Sequence, residues 1–373
     1  MKYYIIAGEA SGDLHGSNLI KALLQKDMQV DVRCWGGDLM QQTGALLVKH
    51  YRNLAFMGFV EVLKNLRTIF RNLSFCKKDI LQYKPDVLIL IDYPGFNLRI
   101  ANWAHQRHIR VVYYISPQVW AWKASRVKGI KKYVDKMLVI LPFEKAFYQK
   151  HNYPVDYVGH PLLDAIKAFN QTYTFQPLFQ NHKSTDTIIA ILPGSRKQEI
   201  AKKLPVMLEA TKSFSQCTFV LAQAPGLEDD FYASFIKNYP NVHVIKNKTY
   251  DVLVNAKAAI VTSGTATLET ALFGVPELIC YKGGSISYAI AKRLVHIKYI
   301  CLVNLIMDRE VVKELIQQNV TVENITQELK LLLYDTNRNQ QLKQDYDALK
   351  SLLSHGGSAS KNAAEIIWEE VNK

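Results

Sequence analysis

Along this chain of 373 residues, short unbroken apolar runs alternate with longer stretches whose apolar positions recur every three or four residues. The runs are rich in β-branched residues and do not alternate in polarity. That marks strands covered on both faces, as in a parallel sheet. In the first half they fall at Tyr3–Ala7, Val30–Trp35, Asp86–Asp92, Arg110–Ile115 and Lys136–Ile140. The pattern restarts at Thr187–Leu192, Thr218–Ala222, Val242–Ile245, Ala258–Thr262 and Glu277–Tyr281. Helices are expected at Leu14–Gln25, Asn97–Gln106, Lys197–Ser213, Val252–Ala256, Ala266–Phe273, Ile286–Leu294 and Glu310–Gln317. From Val322 the chain reads as helical to its end, apart from a break at His355-Gly356-Gly357. Such alternation predicts right-handed βαβ units. The polar stretch Asp164–Asp186 separates two series of them. The expectation is therefore an α/β protein with two Rossmann-like domains, residues 1–163 and 187–345, facing across a cleft and joined by a linker at 164–186.

The ends of the runs carry the candidate chemistry, because open parallel sheets bind ligands beyond the carboxyl ends of their strands. Pro193-Gly194 stops the Ile188–Leu192 run, and Ser195 is placed to cap a helix starting near Arg196, with Gln198 at the capping-box position. A strand, a small-residue turn and a helix amino end together hold an anion. Arg196 opposes the helix dipole unless a negative group such as a diphosphate lies between them; the plainer reading is a solvated Arg on an ordinary turn. Ser263-Gly264-Thr265 repeats the arrangement after Ala258–Thr262. One turn on, Glu269 could accept hydrogen bonds from a vicinal diol such as a ribose, or else pair with solvent or its own capping turn. In the first half Asp92 ends a buried run, where an apolar surrounding raises a carboxyl toward a useful base; as a helix cap it is a poorer choice than Asn97. The turn Gly8–Asp13 offers Glu9, Ser11 and Asp13 at alternate positions, suited to sugar hydroxyls or to orienting a base rather than to a phosphate. His15 is an alternative base, with a structural role the commoner one for a lone histidine in a first helical turn.

Composition narrows the class. Hydrophobic content of 49% with 21% charged residues is globular, and 373 residues suit two domains. Cys34, Cys76, Cys217, Cys280 and Cys301 lie far apart, which fits a reducing compartment and argues against a zinc site. Lys2–Ala7 reads as a strand rather than as part of a signal peptide, and no run approaches the ~20 apolar residues that span a bilayer. The net charge of +13 is uneven: Met1–Leu163 holds 23 Lys and Arg against 12 acidic residues, the remainder 23 against 21. The first half should meet something anionic and extended. Within it, Leu54–Lys78 carries the apolar positions Val62, Leu63, Leu66, Ile69, Phe70 and Leu73 at helical spacing, with Lys64, Arg67 and Arg71 off that face. A basic amphipathic helix of this kind can lie in a membrane interface, although a core-facing helix with a solvated basic side has the same pattern. Phe56-Met57-Gly58-Phe59 adds to the apolar surface. The only Asp-x-Asp, Asp345-Tyr346-Asp347, lies in a late helix and follows no strand, so a metal is not expected.

Several segments resemble bacterial lipid-A-disaccharide synthases. They are Gly8-Glu9-Ala10-Ser11-Gly12-Asp13, Met57-Gly58-Phe59-Val60-Glu61-Val62-Leu63, Ile91-Asp92-Tyr93-Pro94-Gly95-Phe96-Asn97 and Tyr114–Trp122. Leu141-Pro142-Phe143-Glu144, Gly159-His160-Pro161, Leu192–Arg196, Ser263–Ala266, Asn304-Leu305 and Arg309-Glu310 continue the resemblance in order to about Leu315. It implies a GT-B glycosyltransferase whose second domain holds UDP and whose helices over 346–373 cross back toward the first domain. The implied reaction joins a UDP-2,3-diacylglucosamine donor to a 2,3-diacylglucosamine 1-phosphate acceptor through a β-1′,6 bond, with inversion, no cofactor and no metal, in Gram-negative lipopolysaccharide synthesis. Asp92 would be the base, Arg196 the diphosphate contact and Glu269 the ribose contact, with Asn304 and Arg309 on the donor side. Glu9 is expected to be catalytic together with Asp92 and Arg196, and Ser11, Asp13, Gly194, Ser195, Ser263, Gly264 and Thr265 to bind substrate. Phe56, Met57, Phe59, Leu66 and Phe70 would meet acyl chains at an anionic membrane surface, the enzyme being peripheral on the cytoplasmic face of the inner membrane. A homodimer is compatible with all of this. Rival readings are a muramyl-lipid N-acetylglucosamine transferase, a UDP-N-acetylglucosamine 2-epimerase, and a basic nucleic-acid-binding protein, the last weakened by the lack of a recognised binding module.

Overall fold

The computed structural model describes the chain except for residues 28, 55–65, 123, 181, 184, 225–226, 285–296 and 373 and the side chain of Trp122. Strands β1 (Lys2–Ala7), β2 (Asp31–Gly36), β3 (Leu46–His50), β4 (Val87–Ile91), β5 (Val111–Tyr114), β6 (Lys136–Val139) and β7 (Asp156–Tyr157) form one parallel sheet in the order β3-β2-β1-β4-β5-β6-β7. A second parallel sheet, ordered β10-β9-β8-β11-β12-β13, is built from β8 (Ile188–Leu192), β9 (Thr218–Gln223), β10 (Val242–Lys246), β11 (Ala256–Thr262), β12 (Glu277–Tyr281) and β13 (Lys313–Ile316). Both are the doubly wound, Rossmann-like sheets expected. The central strands are buried along nearly their whole length, because helices cover both faces. Each fully buried Ile, Leu or Val there contributes about 1.5–3 kcal/mol relative to exposure.

The chain divides into two compact units, Met1–Ala165 with Leu353–Lys373, and Ile166–Leu352. In the first unit the Ala359–Asn372 helix packs on the Ala10–Lys26 helix. Polar bonds fix its entry: the Ser360 N–H donates to the Asp164 carboxylate at 2.9 Å, and Asn362 Nδ2 to the Val158 carbonyl at 3.0 Å. The Leu66–Tyr83 helix is tied down by a buried network. Tyr4 OH donates to Asp79 at 2.6 Å and accepts from the Trp35 indole at 2.8 Å, while Arg33 pairs with the other Asp79 oxygen at 2.7 Å.

Several expected elements differ. The pattern over Glu310–Gln317 predicts a helix, yet Lys313–Ile316 is the edge strand β13, because pairing with β12 outweighs a short helical period. The edge strands β3 and β7 were not expected: β7 is only two residues long, and β3 has a short apolar run that is exposed or half-buried rather than buried on both faces. The first helix begins at Ala10, so most of the expected Gly8–Asp13 turn is its opening turn. The helix after β4 begins at Pro94, not Asn97, since proline suits a first helical turn. A helix, Pro161–Thr172, also fills the start of the stretch expected to be linker. The expected helix Ile286–Leu294, and Phe56, Met57 and Phe59, lie outside the described residues.

Candidate active site

In the first sheet the strand order reverses direction between β1 and β4, the kind of switch point beyond which parallel sheets bind ligands. Ala7 is level with Ile91, so Gly8-Glu9 and Asp92-Tyr93 leave the sheet side by side. Asp92 and Tyr93 both have left-handed backbone, with φ of 43° and 49°. Conformations of that kind in non-glycine residues cost of order 1–3 kcal/mol each and persist only where neighbours over-determine them. Here the neighbours are explicit. Asn97 Nδ2 donates to the carbonyls of Asp92 at 2.8 Å, Ile91 at 3.2 Å and Ile6 at 3.3 Å. Tyr113 OH donates to the Asp92 carbonyl at 2.5 Å, and Tyr93 OH to the Leu54 carbonyl at 3.1 Å. The Tyr93 ring also lies so close over Gly8 that a Cβ there would sit 2.3 Å from its Cγ. The result is a carboxyl held in one place at the strand end. Burial first, and then the charge of Glu9, push Asp92 up to about 7, against a lowering backbone hydrogen bond from Tyr93.

Other first-unit candidates fare differently. Glu9 is the N-cap residue of the Ala10–Lys26 helix, and Ser11 lies in the opening turn, partly exposed. Asp13, expected to meet sugar, is buried and spends its carboxylate on backbone. Its Oδ1 accepts from Gly37 at 2.7 Å and Met40 at 3.0 Å, and its Oδ2 from Leu39 at 3.1 Å. His15 is buried too, and burial pushes it down to about 4, which makes it a weak proton acceptor. On the Leu66–Tyr83 helix, Leu73, Cys76 and Ile80 face the core, whereas Leu66 and Phe70 are 40% and 61% exposed beside Arg67 and Arg71. Of the expected apolar stripe, Leu73 thus faces the core and Leu66 and Phe70 the surface, while Val62 and Leu63 lie outside the described residues.

The second sheet repeats the switch between β8 and β11, with Leu192 level with Val261. Gly194 has φ +99°, and a Cβ there would meet Thr262 Cγ2 at 3.2 Å, so the two loops touch. Thr262 Oγ1 is buried at that seam without a hydrogen-bond partner. The N-cap of the Lys197–Thr211 helix is Arg196, in extended conformation, and not Ser195 as expected; Ser195 is exposed and makes no cap bond. The Ser195–Gln198 capping box therefore does not form. Instead Glu199, three residues after the true cap, accepts from Arg196 Nη1 at 2.9 Å. Gly264 caps the Thr265–Leu272 helix beside Ser263, bringing a second helix amino end to the same seam. The first N–H groups of each helix lack intrahelical acceptors, an arrangement that can accept an anion. Glu269 accepts from Tyr250 OH at 3.3 Å, and burial raises its pKa.

Asn304 and Arg309, expected on the donor side, both have partners within the second unit. Asn304 is buried and its capacity is spent: Oδ1 accepts from Val311 at 2.8 Å and Val312 at 2.9 Å, while Nδ2 donates to the Val312 carbonyl at 2.9 Å and to Glu314 at 3.1 Å. It shapes the turn into β13. Arg309 pairs with Asp345 at 2.6 Å. Residues that sequence reading passed over are Tyr113, Asn97 as a carbonyl clamp, Thr262 and Tyr250; a residue before proline is ordinarily extended, so Tyr93-Pro94 gave no sign of the left-handed backbone found there. Among the described residues no group of three or more His, Cys, Asp or Glu side chains is arranged to hold a metal, and no helix is long and apolar enough to cross a membrane.

A family model described as lipid-A-disaccharide synthetase matches residues 3–371. The lipid-A-disaccharide synthase of Syntrophus aciditrophicus is 39% identical over 369 residues, covering 97% of this chain and 96% of the relative. That of Coxiella burnetii is 38% identical over 367 residues, covering 97% and 96%. In fold the chain is similar to a UDP-GlcNAc 2-epimerase from Neisseria meningitidis bound to UDP-GlcNAc, with TM-score 0.68 and 14% identity over 100% of both chains. It is also similar to a glycotransferase of kitacinnamycin, with TM-score 0.64 and 14% identity over 99% and 98%. At such identity the two structures speak to fold alone, that of GT-B glycosyltransferases and epimerases.

Proposed function

The chain belongs to the lipid-A-disaccharide synthetase family, and on that premise we propose a division of labour in which Asp92 activates the acceptor and the seam around Arg196 holds the donor's diphosphate. The enzyme is a UDP-sugar glycosyltransferase of lipid A assembly, taking a UDP-sugar donor and a lipid-sugar acceptor. Its specific substrates are, in this reading, UDP-2,3-diacylglucosamine and 2,3-diacylglucosamine 1-phosphate. The observation that carries the reading is Asp92, held by a clamped left-handed backbone and raised to about 7.

In the proposed step the acceptor 6-hydroxyl oxygen attacks the anomeric carbon on the face opposite UDP, and Asp92 takes the hydroxyl proton. The bond from that carbon to the β-phosphate oxygen breaks, UDP leaves with the electron pair, and configuration inverts. Arg196 and the two helix amino ends offset the leaving charge, as preorganised donors do. Glu269 reaches the ribose with the capacity Tyr250 leaves it, and Ser11 lies on the acceptor side. Only ionised Asp92 can act as base, so kcat/KM rises with pH through about 7. Glu9→Gln removes a like charge, favours ionisation and moves that limb to lower pH. A pH–rate profile checks this, and an unmoved limb excludes Glu9 from tuning the base.

The uneven basic charge and the exposed Leu66 and Phe70 support a peripheral position on the cytoplasmic face of the inner membrane, where acylated substrates lie. Replacing both with serine should weaken partition onto anionic vesicles by about tenfold. The melting temperature should hold, because neither side chain is in the core. Unchanged vesicle binding would assign another surface. The reaction itself is tested by giving purified protein both acylated sugars. Mass and NMR analysis should find UDP and a β-1′,6 disaccharide 1-phosphate. Consumption of the UDP-sugar without acceptor would overturn the assignment.

A further inference from the structure

The helix that opens at Arg196 carries a contradiction. Its amino end suits an anion, yet Glu199 stands in the first turn, where a carboxylate repels a bound diphosphate and competes for the guanidinium that should hold it. Glu199 is 37% exposed and Arg196 52% exposed, joined at 2.9 Å. One turn further into the same helix, Lys203 places its ammonium 3.6 Å from the other Glu199 oxygen while only 1% exposed. Lysine is almost never buried to that extent without cause, since desolvating its charge is expensive. Burial lowers its pKa, and Glu199 acts in the opposite direction.

Resting on the reading that this helix end takes the nucleotide diphosphate, we propose that Lys203 is a positioning residue for that ligand. Its buried ammonium neutralises Glu199, so that the carboxylate neither repels the diphosphate nor retains Arg196 when the ligand arrives. Before binding, Glu199 is shared between two cations and keeps the Arg196 side chain over the helix end. When the diphosphate takes the guanidinium, Lys203 remains as the partner of Glu199. The three side chains thus exchange one ion pair for another without leaving a carboxylate uncompensated. Lys203 itself does not touch the nucleotide.

The test is a double-mutant cycle on UDP affinity, measured by calorimetry in the full-length protein with Lys203→Met, Glu199→Gln and the double variant. Methionine fills similar volume, and the Glu199 left behind is 37% exposed and keeps Arg196 as a partner in the free protein, so the fold should hold, with the melting temperature measured alongside. Lys203→Met should nonetheless weaken UDP by about tenfold, less at high salt, because an uncompensated Glu199 then faces the diphosphate. Lys203→Arg should retain most of the affinity. In the Glu199→Gln background the same Lys203→Met change should have no effect. An equal loss in both backgrounds means packing rather than charge and overturns the proposal, as does UDP affinity unchanged by Lys203→Met. If the unmodified protein binds no UDP, the nucleotide reading fails and takes this proposal with it.

Discussion

Asp92→Asn lowers kcat by about 10²–10⁴-fold, the usual worth of a general base, while UDP affinity stays unchanged. The substitution isolates the proton transfer. Asparagine is nearly the same size and, with aspartate, is among the residues that best tolerate left-handed backbone, so the φ of 43° is kept. The clamps on the strand end act on the Asp92 carbonyl, not on its side chain, and survive the change. What disappears is a group able to take a proton near neutral pH. Asp92→Ala would be a poorer test, since alanine favours left-handed backbone less. Single-turnover kinetics with separate UDP titration reads both quantities. A rate within a few-fold of the unmodified enzyme removes Asp92 as the base.

Arg196→Ala acts on the other half of the reaction. A charge-assisted hydrogen bond contributes about 1.5–3 kcal/mol, so UDP binding should weaken by about 10–100-fold. The loss is that of the guanidinium's own bonds, because Lys203, 3.6 Å from Glu199, still neutralises that carboxylate. Arg196→Lys should recover part of the loss, since an ammonium lacks the planar fork of a guanidinium. Arg196 is half-exposed and makes no cap bond through its side chain, so the fold should not register the change. Calorimetric titration with UDP decides it, and undiminished affinity refutes the diphosphate role.

The two doubly wound sheets were legible because fully buried parallel strands leave unbroken apolar runs, as in Ile188–Leu192 and Val87–Ile91. Asp92 was legible for the same reason: a carboxylate at the end of such a run stands out. Strand order was not, and it is strand order that brings Gly8 to Tyr93 and Gly194 to Thr262. Asp13 and Asn304 show the opposite error. Both sit in recognisable motifs and look like ligand contacts, yet each spends its oxygens or amide on nearby backbone. A short polar residue serving as a staple and one serving a substrate have the same signature in one dimension. The difference lies in where the backbone N–H groups of distant segments arrive. Lys203 is a related case, since an i, i+4 partner of Glu199 reads as a surface pair until its burial is known.

The central claim is that nucleotide binding and proton abstraction belong to different units of the chain. A structure determined with UDP bound tests it most directly. The account predicts the diphosphate at the β8–β11 seam, beside Gly194 and the amino end of the Thr265–Leu272 helix and within reach of Arg196. A nucleotide seated instead at the β1–β4 switch, on Gly8-Glu9 and Asp92, would contradict it.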